Sequence, residues 1–225
     1  MANAATNWKE FKSINPPIVI NNNYLRGGAS ALILDDLAVI AGDDYFVKDA
    51  VSGAPILRAR GKEWSTRDVK TLYDTGGTAI CVIKDEIITL HNTMKGEIEG
   101  VTLFEVSKHQ GYTSDEDRFL VKYRDTDEEL KRTINVIGDW LGRKAEIRLA
   151  PHGADKKDFT DGELVARVER ANMATEFLAK NDSKDTATEE EVTTRYTVAV
   201  SPGVDLAFIS AVCMCCDAIR AQTDY

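Results

Sequence analysis

Cysteine is scarce in this chain and unevenly placed. Of four in 225 residues, three fall within Cys213–Cys216. That is no disulfide framework, and a reducing setting, cytoplasmic or nuclear, is expected. Histidine numbers three, and beyond the Cys213–Cys216 pair no neighbouring CxxC or HxxxH supplies the rest of the four ligands of tetrahedral zinc. No cofactor and no metal are expected. Positive charge is in deficit: 28 Lys and Arg against 37 Asp and Glu, a net charge of −9. An overall basic footprint for nucleic acid is missing, so no nucleic-acid partner is expected. The same balance disfavours simple adhesion to an anionic membrane. The opening MANAATNWKEFKSINPP has no basic stretch followed by an apolar one, so no secretory leader is expected. Ala2 stands where myristoylation requires glycine.

Recognisable chemistry is missing too. No Ser/His/Asp order or nucleophile elbow occurs. RGGAS and TGGT have no Walker lysine and no strand-to-helix context, so they read as turns. Asp35 and Asp36 are adjacent, which sends them to opposite faces of a strand. SDEDR, Ser114 to Arg118, has neither the Gly nor the distal Glu of an EF-hand loop. His91, His109 and His152 lie at a strand end and in polar loops.

What is present is alternation. Most of the chain repeats with period two, in segments rich in β-branched and aromatic residues. ALIL, DYFVK, PILRA, VKTLYD, TAICVIK, EIITLHN, VTLFEVS, RFLVKYR, LKRTINVIG, KAEIRLA, ELVARVER and TRYTVAV are the candidate strands. Between several of them an acidic residue precedes a glycine-containing turn: Asp49 to Gly53, Asp74 to Gly77, Asp139 to Gly142 and Asp161-Gly162. Asp accepts bonds from turn amides and Gly supplies positive φ, so each suits a hairpin. About twelve strands joined this way predict an antiparallel barrel, closed on itself. Residues 1–25 are expected to be a partly ordered N-terminal extension, and residues 26–225 a single barrel domain. Lys108–Arg118 and Lys180–Val192 read as polar and acidic loops.

One segment breaks the alternation. After SPGVD comes LAFISAVCMCCDAIRA, a predicted helix with Asp205 at its positive end and Arg220 near its negative end. Leu206, Phe208, Ile209, Val212, Cys213 and Cys216 are its core residues, and the apolar positions face every direction. Such a helix must be buried on all sides. The run from Leu206 to Cys216 has 11 residues and ends at Asp217, whereas a bilayer span needs about 20. Burial in protein is therefore expected, with no transmembrane segment. Only Cys213 and Cys216 are helical neighbours, so the thiols read as packing ahead of palmitoylation, redox sensing or metal. The predicted architecture is a closed sheet around a central hydrophobic C-terminal helix.

YTVAVSPGVDLAFISAVCMCCDAI resembles the ending of the LURP-one-related proteins. DYFVKDAVSGAPILRARG, TLYDTGGTAICVIKDEIITLHN, VTLFEVSK, GDWLGRKAEI and GELVARVER follow in the same order, covering roughly residues 30–222. The resemblance implies the tubby C-terminal fold, a twelve-stranded barrel around a C-terminal helix, related also to phospholipid scramblases. It implies a non-catalytic cytoplasmic binding module, peripheral to a membrane or nuclear, with links to stress or defence signalling. The partner would be a protein or a phosphoinositide headgroup, and the chain a monomer. Tubby-type domains bind phosphoinositides through surface Lys and Arg. Arg58, Arg60 and Lys62 share one strand face by alternation and are the candidate contact face, with Lys108, Arg143 or Lys156 as extensions. A scramblase-like membrane protein and an enzyme of unknown class are the alternatives.

Overall fold

The computed structural model describes residues 7–37, 44–61, 69–86, 93–109, 116–124, 131–151, 160–170 and 195–223. Twelve strands are present among the described residues, eleven of them at candidate segments. The sixth is Thr93–Ile98, which is not one of the candidates, while EIITLHN lies outside the described residues except for Glu86. The strands are β1 (Ser30–Leu37), β2 (Asp44–Asp49), β3 (Pro55–Gly61), β4 (Val69–Asp74), β5 (Ala79–Asp85) and β6 (Thr93–Ile98). β7 (Val101–Lys108), β8 (Asp117–Arg124), β9 (Lys131–Asp139), β10 (Lys144–Leu149), β11 (Glu163–Arg170) and β12 (Arg195–Val200) complete the set. Consecutive strands pair antiparallel, and β1 also pairs with β12. The sheet is thus a closed barrel with no free edge.

The lumen is filled by one helix, α1 (Leu206–Thr223). No residue from Leu206 to Cys216 is more than 2% exposed. Leu32, Leu34, Val47, Leu57, Leu72, Ile83, Val106, Val121, Val136, Ile147 and Val198 point inward to meet it and are all buried. The Phe208 ring stands edge-on to Phe104 at 5.4 Å and tilted to Tyr123 at 5.3 Å, geometries that aromatic quadrupoles favour. Gly96 makes room for this cluster, since a Cβ there would come within 2.1 Å of the Phe104 ring. The Ser210 hydroxyl donates to the Leu206 carbonyl at 2.7 Å, which satisfies the polar group of the apolar run.

The acidic turn residues act as their spacing predicts. Asp49 accepts from the amides of Val51 and Ser52, Asp74 from Thr78, Asp139 from Gly142, and Asp161 from Gly162. Gly53, Gly77 and Gly162 have positive φ. The turn after β9 differs. There Arg143 takes the left-handed conformation, at φ 54°. Gly142 is needed for space instead, because a Cβ would lie 1.9 Å from an Asp139 oxygen.

Strand direction divides the barrel into two rims. At the upper rim β12 ends and α1 begins, and the hairpins β2–β3, β4–β5 and β6–β7 lie there. At the lower rim α1 ends beside the β9–β10 turn. Residues 7–27 run from the outer face of β11 and β12 to the upper rim. Phe11 packs there with Leu164 and Ala199, while Ile14 and Ile18 are buried in the main core.

Candidate functional site

Three charged constellations matter, and two are structural. At the upper rim Asp205 is fully buried. One oxygen, Oδ1, accepts from the amides of Ala207 at 2.7 Å and Phe208 at 3.4 Å, capping α1. The other, Oδ2, accepts from Ile20 at 2.9 Å and Asn21 at 2.6 Å. Its own amide donates to the Ile18 carbonyl, and Ile14 donates to Pro202. Gly203 has φ +80° and leaves space for the Ile14 carbonyl, which a Cβ would approach to 2.5 Å. Burial pushes the Asp205 carboxyl above the usual range, although its four amide donors pull the other way.

At the lower rim Asp217 does the corresponding work with side chains. It accepts from Trp140 Nε1 at 2.8 Å and Tyr196 Oη at 2.8 Å, and it forms an ion pair with Arg143. The Arg143 guanidinium lies over the Tyr196 ring at 4.3 Å. Burial would lower the Arg143 pKa, but the Asp217 charge more than offsets this and raises it. Burial drives the Tyr196 phenol well above its usual value. Next to this group Asp117 meets Lys108 and Arg220.

The third constellation is on the outer face of β1–β4. Arg58 and Arg60 both point outward, alternating with buried Leu57 and Ala59. Arg58 stands across from Phe46 on β2 and Tyr73 on β4, with its guanidinium 5.9 Å from the Tyr73 ring centre. Arg60 is exposed and stands across from Thr71. Lys62 lies outside the described residues. Among the described residues neither guanidinium meets a carboxylate. Asp44 lies close by on β2 without pairing, and Lys48 and Arg195 share Asp35. The outer face of β5–β7 is different: Lys84 pairs with Glu97, and Lys95 with Glu86 and Glu105. Two of the suggested extensions, Arg143 and Lys108, are engaged elsewhere than at the Arg58 face. Arg143 turns onto Asp217, Lys108 onto Asp117, and Lys156 is outside the described residues.

The thiols are buried. Burial pushes Cys81 up to about 12 and holds Cys213 and Cys216 well above their usual values. Among the described residues no group of three His, Cys, Asp or Glu is arranged to hold a metal ion. No described helix is long and apolar enough to cross a membrane.

A closed twelve-stranded antiparallel barrel filled by one C-terminal helix defines the class of protein. The profile of the LURP-one-related family matches residues 32–217, and the chain belongs to that family. A crystal structure of a protein from Arabidopsis thaliana is similar, with a TM-score of 0.55 and 18% identity. That match covers 90% of this chain and 98% of the other. At this identity the likeness concerns the fold. Comparison with curated proteins finds no match.

Proposed function

We propose that this chain is a non-catalytic binding module that meets an anionic partner on the outer face of β2–β4. The observation that carries this reading is the pair Arg58 and Arg60. They share one face and, among the described residues, form no ion pair with a carboxylate, whereas the lysines of β5 and β6 are neutralised. Two such guanidinia, one of them over the Tyr73 ring, suit recognition of an oxyanion. The lumen argues against a deep active site, because α1 occupies it. An open groove of about 620 Å³ at the upper rim is lined by Ser13, Ile14, Asn15, Pro17, Leu25, Arg26, Gly27 and Gly203. That lining has no acid–base pair.

The resemblance in sequence points to a protein partner or a phosphoinositide headgroup, in the cytoplasm or at a membrane surface. Both present oxyanions to arginine. The double variant Arg58→Glu/Arg60→Glu tests the reading, since both side chains lie outside the core. The variant is expected to melt as the parent does and to lose binding to anionic ligands, whether vesicles bearing phosphoinositide or acidic and phosphorylated peptides. Binding that survives the charge reversal would sink the proposal.

A further inference from the structure

We infer that the Arg58–Arg60 face recognises a phosphomonoester carried on a peptide, with Tyr73 as the residue that positions Arg58. The inference rests on the binding-face reading and adds the ligand's chemistry. Two residues apart on one strand, the arginine Cα atoms are about 7 Å from each other. Side chains of that length can converge on a single group. One carboxylate offers two oxygens, enough for one guanidinium fork. A phosphomonoester offers three free oxygens and close to two charges, enough for both.

Tyr73 limits where Arg58 can go. The guanidinium lies against the ring, and its Nε is covered and has no acceptor among the described residues. A covered donor with no acceptor calls for an explanation, and an oxyanion that draws Arg58 outward would supply one. Arg60, exposed and with no ion pair among the described residues, provides the second fork from the same side. Phe46, across from Arg58 on β2, flanks the position from the other strand.

The chain's net charge decides between sources. At −9, the protein as a whole is repelled by an extended anionic bilayer, which opposes the local attraction of two arginines. A single phosphate on a peptide presents its charge locally and escapes most of that penalty, since charges beyond about 8–10 Å are screened in physiological salt.

The test is an NMR titration of the full chain. The probes are two synthetic peptides identical except for one phosphoserine, and phosphatidylcholine vesicles bearing a bisphosphorylated inositol lipid. The phosphopeptide is expected to shift the Arg58 Nε–H and Tyr73 ring signals, and the unphosphorylated copy to leave them in place. Arg58→Lys keeps the charge but loses the fork, and should weaken binding about tenfold. Tyr73→Leu keeps the charge and an apolar side chain but removes the ring, and should weaken it about threefold. Equal titration by both peptides would overturn the phosphate assignment. An undiminished affinity in Tyr73→Leu would remove the positioning role. Vesicles that bind through Arg58 and Arg60 while the phosphopeptide does not would defeat the peptide assignment and leave the binding-face reading intact. If no probe moves either arginine, both readings fall.

Discussion

Two aspartates tie α1 into the barrel, Asp205 at its start and Asp217 in its second half, and the two do it differently. Asp205 at the upper rim accepts four bonds, all from backbone amides. Asp217 at the lower rim accepts from three side chains: an indole, a phenol and a guanidinium. A backbone-read contact asks little of the residues that supply it. A side-chain-read contact requires particular residues at three distant positions. The upper rim is therefore tolerant of sequence but sensitive to backbone path, as Gly203 shows. The lower rim is intolerant of substitution, and its turn is bound to one backbone path as well, since a Cβ at Gly142 would lie 1.9 Å from an Asp139 oxygen.

The largest effect should come from the lower rim. Asp217→Ala would leave a largely buried guanidinium without its counter-ion and strand an indole N–H and a phenol. Removing one partner of a buried ion pair typically costs about 3–5 kcal/mol. Chemical denaturation should show a loss of that size, with Trp140 fluorescence reporting the disturbed site. A loss below about 1 kcal/mol would mean that Arg143 swings out to solvent and that the two ties are not so different.

Asp205→Ala should cost less, about 2–3 kcal/mol, from a lost helix cap and stranded amides. Its signature is local. Hydrogen exchange at the Ile20 and Asn21 amides should accelerate, because residues 14–21 lose their tie to the helix start. Exchange at Ile134 and Val136, in the barrel wall, should change far less. Uniform acceleration throughout the chain would show that the upper rim is no separate unit.

The same contrast explains what was legible in the sequence. The strands follow from alternation, and α1 follows from a run apolar on every side, because both patterns are local. Arg58 and Arg60 could be placed together because i and i+2 share a strand face. Asp217 read only as the residue that stopped the apolar run. Its partners Trp140, Arg143 and Tyr196 lie 77, 74 and 21 residues away, and nothing local announces them. Arg143 looked like surface charge for the same reason. The role of residues 14–21 was hidden for a different one: their bonds are mostly main-chain, and main-chain bonds leave almost no mark on residue choice. The pairing of Asp35 with Lys48 and Arg195, which leaves Arg58 and Arg60 without an ion pair among the described residues, depends on cross-strand register. A single sequence does not state register.

The smallest effect sharpens the upper rim alone, through pH. Burial raises the Asp205 carboxyl above its ordinary value even against four amide donors. A raised folded-state pKa means that the folded chain holds this proton more tightly than the unfolded chain does. The stability it contributes is fully present below the ordinary aspartate pKa and is lost as pH rises through the folded-state value. Asp205→Asn removes the titration while keeping one acceptor oxygen. The stability difference between parent and Asp205→Asn should therefore be greatest below the ordinary aspartate pKa of about 3.9 and shrink as pH rises through the raised folded-state value. Urea unfolding of both proteins at matched pH would measure it. A difference that instead grows as pH rises would mean that the amides outweigh burial. The ionised carboxylate would then be a net stabiliser of the upper rim, as a charged cap at an exposed helix start would be.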